Sequence, residues 1–449
     1  MPSKTLGVWS GVGLVVANMV GAGVFLSTGF MAQSLSAGLI LLAWVVGGFL
    51  AMAGARSYAE VARLVPQGGG EYRYLSTLMH PALGYLAGWA SLLVGFSMPI
   101  AIDGLAAGAF VRTIFPSVSA QVIAVVLIIS LTALHAIGLK SSARMQNALV
   151  AIKVLLLVGF VLVGVTQGSL SWPTWQPANT PASVPAEFVS SLFYIAFAYS
   201  GWNAAIYASD EFKNPERDVP RAMLLGCLAV MALYLVVNFI FVANLNPGQL
   251  SVVFKYSDFT SPLAPPEIDT SWQQVTLGQA VMARLLSAQA AQVMSGVMVL
   301  LFMSAMSAMT LVGPRVTMAM ARDGFLPKQL VPADGKPPLV ALLLQAVLAI
   351  VVVLAHDLRS ALESVGAILT FFAALTVAGL FRAALRAKTS EEKPALTSLL
   401  AAGLYVVSAA VMLYFGFREK LGPAVWLAAI AAATVAAWFV TNRFRKETT

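Results

Sequence analysis

The sequence predicts an all-α integral membrane protein of about twelve transmembrane helices, from its composition, its recurring apolar runs and the sorting of charge between them. Of the 449 residues, 59% are hydrophobic and only 10% charged, where a soluble domain carries roughly a quarter charged residues. Apolar runs long enough to cross about 30 Å of hydrocarbon, roughly 20 residues each, recur from end to end, and short segments between them hold most of the charge. No stretch is left for a soluble domain.

Taken in order, the spans are expected at about 6–32, 37–63, 82–110, 121–139, 146–166, 186–209, 221–243, 278–319, 338–355, 361–383, 397–416 and 423–441. The even count puts both termini on one side. That face receives about 20 of the 27 Lys and Arg, from Lys4 and from 56–73, 140–144, 213–221, 315–336, 382–393 and 443–446. The other receives Arg112, Lys255, Arg284, Arg359, Arg418 and Lys420, while Lys153 falls inside a span. By the positive-inside rule both termini are cytoplasmic, in a plasma membrane of the bacterial inner-membrane type. The net charge of +8 then faces the cytoplasm and anionic lipid, so no nucleic-acid partner is needed. The first span follows only Lys4 and lacks a small-residue cleavage site, which reads as a retained helix and not a signal peptide. The lone cysteine, Cys227, lies within an apolar span, so no disulfide-linked heavy chain is expected.

Two spans carry glycine interruptions at matching depth. Span 1 contains Asn18-Met-Val-Gly-Ala-Gly-Val-Phe25 and span 6 contains Phe197-Ala-Tyr-Ser-Gly-Trp-Asn203, each with its glycine about 15 residues after the start of the span. Glycine in a membrane helix also permits close packing. Paired in the two halves, the interruptions predict inverted repeats with broken helices 1 and 6: helices 1–5 in residues 1–168, helices 6–10 in 186–385, and helices 11–12 in 396–449. A broken helix exposes N–H groups at one new N-terminus and C=O groups at one new C-terminus within the membrane. A zwitterion suits both: its carboxylate on the N–H groups near Gly23 and Val24, its ammonium on carbonyls released at the two breaks.

At this point the sequence resembles a known family, the amino acid–polyamine–organocation transporters. The likeness lies in Gly21-Ala-Gly-Val-Phe25, in Pro66-Gln-Gly-Gly-Gly-Glu-Tyr-Arg-Tyr74, in Phe197–Asn203 continued through Glu211–Arg217 to Val219-Pro-Arg221, and in Met320-Ala-Arg-Asp-Gly-Phe-Leu-Pro327. It looks closest to the L-type amino acid transporter branch and its bacterial relatives. The resemblance implies the LeuT fold with a five-plus-five inverted repeat, and secondary active transport by alternating access. It implies substrate-carboxylate contacts at Val20, Gly21, Ala22 and Gly23, with Ala22 replacing a serine found in many members. It also implies a substrate site lined by Phe197, Ala198, Ser200, Gly201 and Asn203, with Phe197 gating it. Members that exchange basic amino acids carry an acidic residue near the place of Asn203. No carboxylate occurs between Leu192 and Ser209, which favours neutral, largely apolar amino acids.

Lys153 has two readings. It lies about seven residues into span 5, where its stem allows snorkelling to the cytoplasmic interface. The resemblance implies instead a coupling role, an ammonium in the place of a sodium ion that ties span 1 to span 8, where Ser304, Ser307 and Thr310 recur every three residues. That reading makes transport sodium-independent and leaves proton coupling and exchange both open. Asp103 is expected towards the outer end of span 3, as a satisfied or solvated group near the membrane surface, with a carboxylate lining an external vestibule as the alternative. Tyr199 and Trp202 read as packing residues or interfacial anchors, and Arg315, Arg322 and Asp323 as a cytoplasmic charge network or a solvated loop.

Other classes lack residues to run on. His80, His135 and His356 are far apart with no His-Glu-x-x-His, so no metal or cofactor is expected. The glycines at 68–70 lack the Lys-Ser/Thr ending of a phosphate loop, and no Gly-x-Ser-x-Gly elbow occurs. An intramembrane enzyme and a channel are the rival classes. Within transport, cationic amino acids, polyamines and export remain alternatives.

Overall fold

The computed structural model describes residues 6–32, 34–115, 117–174, 176, 184–246, 277–333, 336–355, 358–389, 391–419 and 421–448. Lys4, Lys255, His356 and Lys420, named above, lie outside the described residues.

Each expected span is occupied by helix. Span 1 is two helices, α1 (Val8–Met19) and α2 (Gly23–Met31), bent by 41° at Val20–Ala22. Then come α3 (Ala37–Leu64), a short α4 (Gly70–Leu78) that the span pattern did not anticipate, α5 (Pro81–Ala90) and α6 (Met98–Ile114), α7 (Ala120–Ile137) and α8 (Leu139–Gln167). In the second half lie α9 (Val184–Tyr199), α10 (Ala204–Tyr207), α11 (Pro215–Asn244), α12 (Leu277–Leu285), α13 (Ala288–Val312) and α14 (Pro314–Arg322). The chain closes with α15 (Leu339–Ala355), α16 (Leu358–Arg386), α17 (Leu396–Glu419) and α18 (Leu421–Thr448). Among the described residues, eight helices are long and apolar enough to span a bilayer, nine with the bent α1–α2 pair.

Two expectations about single spans are corrected. The expected span 278–319 turns at Leu286–Ser287, where the Ser287 hydroxyl accepts the Ala290 N–H and caps α13, leaving α12 a separate helix. Span 3 runs from Pro81 to Arg112 but opens into a π-helical turn at Ser91–Ser97, just before Pro99. Proline lacks the N–H and crowds the carbonyl four residues back, and a widened turn relieves both.

Burial sorts the helices. Span 3 has 89% of its apolar window buried and sits at the centre, whereas Arg144–Gln167 and Leu396–Arg418 have 22% and form the periphery. On α8 the outward face is Leu155, Val158, Leu162 and Val165, all exposed, while the buried face holds Lys153. Polar inside and apolar outside is the pattern a lipid-facing helix requires, because hydrocarbon replaces water as the solvent.

Candidate functional site

The two breaks face each other at the centre. At the first, Gly21 and Gly23 leave no side chain between backbone and neighbours: a Cβ on Gly23 would lie 2.6 Å from Ala198 Cα, and one on Gly21 would lie 3.0 Å from Asp103 Oδ2. At the second, α9 ends at Tyr199, Ser200–Asn203 form a turn, and α10 resumes the helix. Gly201 has φ +99°, in the region that favours glycine, and a Cβ there would lie 2.9 Å from Asn18 O. Gly23 against Ala198 and Gly201 against Asn18 are therefore the contacts that bring the breaks together.

The freed backbone groups are partly met by the protein's own side chains. Lys153 is completely buried and its Nζ donates to Ala17 O at 3.0 Å and Val20 O at 2.6 Å. It does not snorkel. The Tyr234 hydroxyl, from α11, donates to Met19 O at 2.6 Å and Ala198 O at 3.0 Å, so one side chain closes a carbonyl at each break. Asp103 accepts the Ala22 N–H on Oδ1 at 2.9 Å, and its Oδ2 is buried with no hydrogen-bond partner among the described residues. The expectation that Asp103 lies near the membrane surface is overturned: it is 1% exposed and set against the first break. Among the described residues, the N–H groups of Gly21, Gly23 and Val24 find no backbone acceptor. They are the open donors at the N-terminus of α2, where the helix dipole favours an anion.

Of the residues expected on span 8, Ser307 donates to Gln146 Oε1 at 2.6 Å and pairs with His135 Nε2 at 2.9 Å. The Ser304 hydroxyl is buried without a hydrogen-bond partner among the described residues, and Thr310 donates to Met306 O at 2.8 Å. Both of these Lys153 hydrogen bonds go to span 1 carbonyls, not to span 8 hydroxyls.

A cavity of about 80 Å³ opens beside the second break. Ser200, Gly201 and Asn203 line it, with Asn18 from α1; Val20, Gly21, Ala22, Gly23, Phe197 and Ala198 are buried against one another outside its lining. Tyr199 and Trp202 are buried and also line it, Trp202 lying edge-on to Tyr58 with ring centroids 4.6 Å apart. The cavity also contains Glu71, whose Oε1 accepts from the Tyr58 hydroxyl at 2.6 Å and from Asn203 Nδ2 at 3.3 Å. Between Leu192 and Ser209 the sequence holds no carboxylate, yet α4 delivers one onto Asn203. Two glycines with positive φ, Gly69 and Gly70, make the sharp entry into α4 that brings Glu71 there. Burial pushes the Glu71 carboxyl up to about 7, against the hydrogen bonds from Tyr58, Asn203 and Ser91, which hold it down.

The charges of the loops after spans 2 and 6 and at the end of span 8 form pairs. Arg73 meets Asp323 at 2.9 Å, Arg315 meets Glu211 at 2.6 Å, and the Gly68 N–H donates to Asp210 Oδ1 at 3.0 Å. Arg322 stands 3.9 Å from Asp210. These contacts tie the loop after span 2, the loop after span 6 and the end of span 8 together.

Glu71 and Tyr234 are the residues at the site that sequence reasoning missed, and Asp103 is the one it misplaced. Their only signal was polarity: a carboxylate in span 3, a tyrosine in the middle of an apolar span, and an acid after three glycines.

A family model described as amino acid permease matches residues 6–440. The large neutral amino acids transporter small subunit 2 of Homo sapiens is 28% identical over 433 residues, covering 93% of this chain and 76% of its own. The b(0,+)-type amino acid transporter 1 of Mus musculus is 30% identical over 258 residues, 55% of this chain and 53% of its own. The serine/threonine exchanger SteT of Bacillus subtilis (strain 168) is 29% identical over 250 residues, 55% of this chain and 56% of its own. With a family match over nearly its whole length, and a bilayer-spanning helical fold, this chain belongs to the amino acid permease family of amino acid–polyamine–organocation transporters.

Proposed function

We propose that the protein is a sodium-independent exchanger of neutral amino acids in the plasma membrane, with both termini cytoplasmic. The observation that carries this reading is the pair of facing breaks, with open N–H donors at Gly21, Gly23 and Val24 on one side and a cavity at Ser200, Gly201 and Asn203 on the other. The substrate carboxylate binds the open donors. Its ammonium takes carbonyls of the breaks, displacing the Tyr234 hydroxyl. Phe197 and Ala198 close over it, and the bundle of spans 1 and 6 rocks against spans 3–4 and 8–9. Residues 1–168 and 186–385 act as the two inverted repeats, with 396–449 as an added pair of helices.

Lys153 supports sodium independence, because its ammonium already serves two carbonyls of the first break, where a cation would be needed otherwise. Ser304 and Ser307 belong to the adjoining wall of span 8. Relatives named as a neutral amino acid transporter and as a serine/threonine exchanger favour neutral substrates and exchange over uptake. Although one relative is named a small subunit, Cys227 is fully buried and has no route to a partner's thiol, so this chain works without a disulfide-linked heavy chain.

Ligand-induced thermal stabilisation of the detergent-purified protein tests recognition of the zwitterion. L-leucine is expected to raise the melting temperature, whereas leucine methyl ester and N-acetyl-leucine, each missing one charge, are not. Equal stabilisation by all three would remove the two breaks from the binding reaction.

A further inference from the structure

Asp103 brings to the first break a hydrogen-bonding capacity that the protein does not use. Its Oδ1 is taken by the Ala22 N–H, while Oδ2 is buried with no partner among the described residues. The carboxylate rests directly on the opened backbone: a Cβ on Gly21 would lie 3.0 Å from Oδ2 and 3.1 Å from Oδ1, so only glycine lets both oxygens approach. A proton on Oδ2 would not resolve the vacancy, since it exchanges an unmet acceptor for an unmet donor. Lys153 acts on Asp103 through its field. Its hydrogen bonds, however, go to Ala17 O and Val20 O, and among the described residues it forms no ion pair with Asp103. A buried carboxylate oxygen left unmet is costly, and a ligand that carries charged N–H donors into the break removes the cost.

An ammonium has three donors. The carbonyls that the Tyr234 hydroxyl otherwise holds, Met19 O and Ala198 O, take two of them, which leaves one. In an amino acid the ammonium and the carboxylate sit on the same carbon. With the carboxylate on the N–H groups of Gly23 and Val24, the ammonium lies within one helical turn of Gly21 and Ala22, the residues against which Asp103 is set.

We propose that Asp103 is a substrate-binding residue whose Oδ2 accepts a hydrogen bond from the α-ammonium of the transported amino acid. The inference deepens the reading that the two breaks hold the zwitterion and rests on it. Asp103 and Lys153 present opposite charges at the first break, and a zwitterion laid with its ammonium on Asp103 adds no net charge there. A substrate analogue that keeps the carboxylate but lacks the ammonium brings a second anion beside Asp103 with nothing to offset it. Asp103 therefore selects for the ammonium, a discrimination that backbone carbonyls supply only in part.

The test compares the affinities of leucine and leucic acid, which has a hydroxyl in place of the ammonium, for the detergent-purified wild type, Asp103→Asn and Asp103→Glu. The wild type is expected to prefer leucine strongly. Asp103→Asn is expected to lower the leucine-to-leucic acid ratio of affinities by about tenfold or more, the scale of a lost hydrogen bond between charged groups, with leucic acid binding no worse than before. Asp103→Glu, which keeps the charge, is expected to recover part of the ratio. A residue that merely props the Ala22 N–H would weaken both ligands together, so a parallel loss with an unchanged ratio would overturn the inference. Leucic acid binding the wild type as tightly as leucine would overturn it with no variant needing to fold, and would leave transport at the breaks standing. A wild type that binds neither ligand would sink the proposed function itself.

Discussion

Replacing Lys153 by methionine isolates what its ammonium does at the first break. Methionine keeps most of the volume, so little cavity forms, but two buried carbonyls, Ala17 O and Val20 O, lose their donor. Each orphaned acceptor costs about 1–3 kcal/mol, so the pair costs about 2–6 kcal/mol. Asp103 also loses the positive charge it interacts with, which raises the cost further. The released Val20 O is then free to accept the Val24 N–H four residues on, the bond of an uninterrupted helix, which would close the break and remove an anion donor together. Thermal unfolding of the purified variant should drop by several degrees, and amino acid exchange should fall to near background while the protein still inserts. A Lys153→Met protein with wild-type melting temperature and wild-type exchange would refute this reasoning.

Four further outcomes follow from the same geometry. Asp103→Asn should weaken the hold on the Ala22 N–H, and the Asp103→Asn/Lys153→Met double variant should be less damaged than the sum of the single variants, read by a double-mutant cycle on melting temperature. Gly201→Ala should cost at least about 1–2 kcal/mol, because φ +99° is strained for alanine and its Cβ would press on Asn18; an unchanged melting temperature would count against the packed breaks. Tyr234→Phe removes one hydroxyl from two carbonyls and should slow exchange more than it lowers stability, checked by parallel initial rates and thermal unfolding. Glu71 gives a pH dependence with a defined sign: its carboxyl stands raised from 4.5 to about 7 in the folded protein. The unfolded state therefore loses this proton first, and stability should decline by roughly 3 kcal/mol as pH rises from about 4.5 to about 7. The facing groups Tyr58, Tyr207, Tyr405, Ser91 and Asn203 do not titrate in that window. Glu71→Gln should flatten the decline.

The helical spans and both breaks were legible in the sequence because hydrocarbon imposes a length and an apolar composition, and glycine marks where a helix opens. What was not legible depends on rotation and on contacts far apart in the chain. Asp103 was placed by position along span 3, but the π-helical turn at Ser91–Ser97 alters the register of everything after it, and no periodicity reveals which face results. Tyr234 reads as one more aromatic in an apolar run until α11 is seen beside both breaks. The counter-charge for span 6 was sought within span 6, whereas Glu71 arrives from α4, 132 residues away from Asn203 in sequence. Lys153 was ambiguous for a related reason: its stem reaches water if the helix face points outward, and only the packing of α8 against α1 turns it in.

The central claim is exchange of an amino acid at two facing helix breaks without sodium. It is tested most directly by uptake of labelled leucine into proteoliposomes with sodium absent, comparing vesicles preloaded with unlabelled leucine against empty ones. Saturable uptake confined to preloaded vesicles is the predicted result. Uptake that requires sodium, or that proceeds equally into empty vesicles without any gradient, would contradict it.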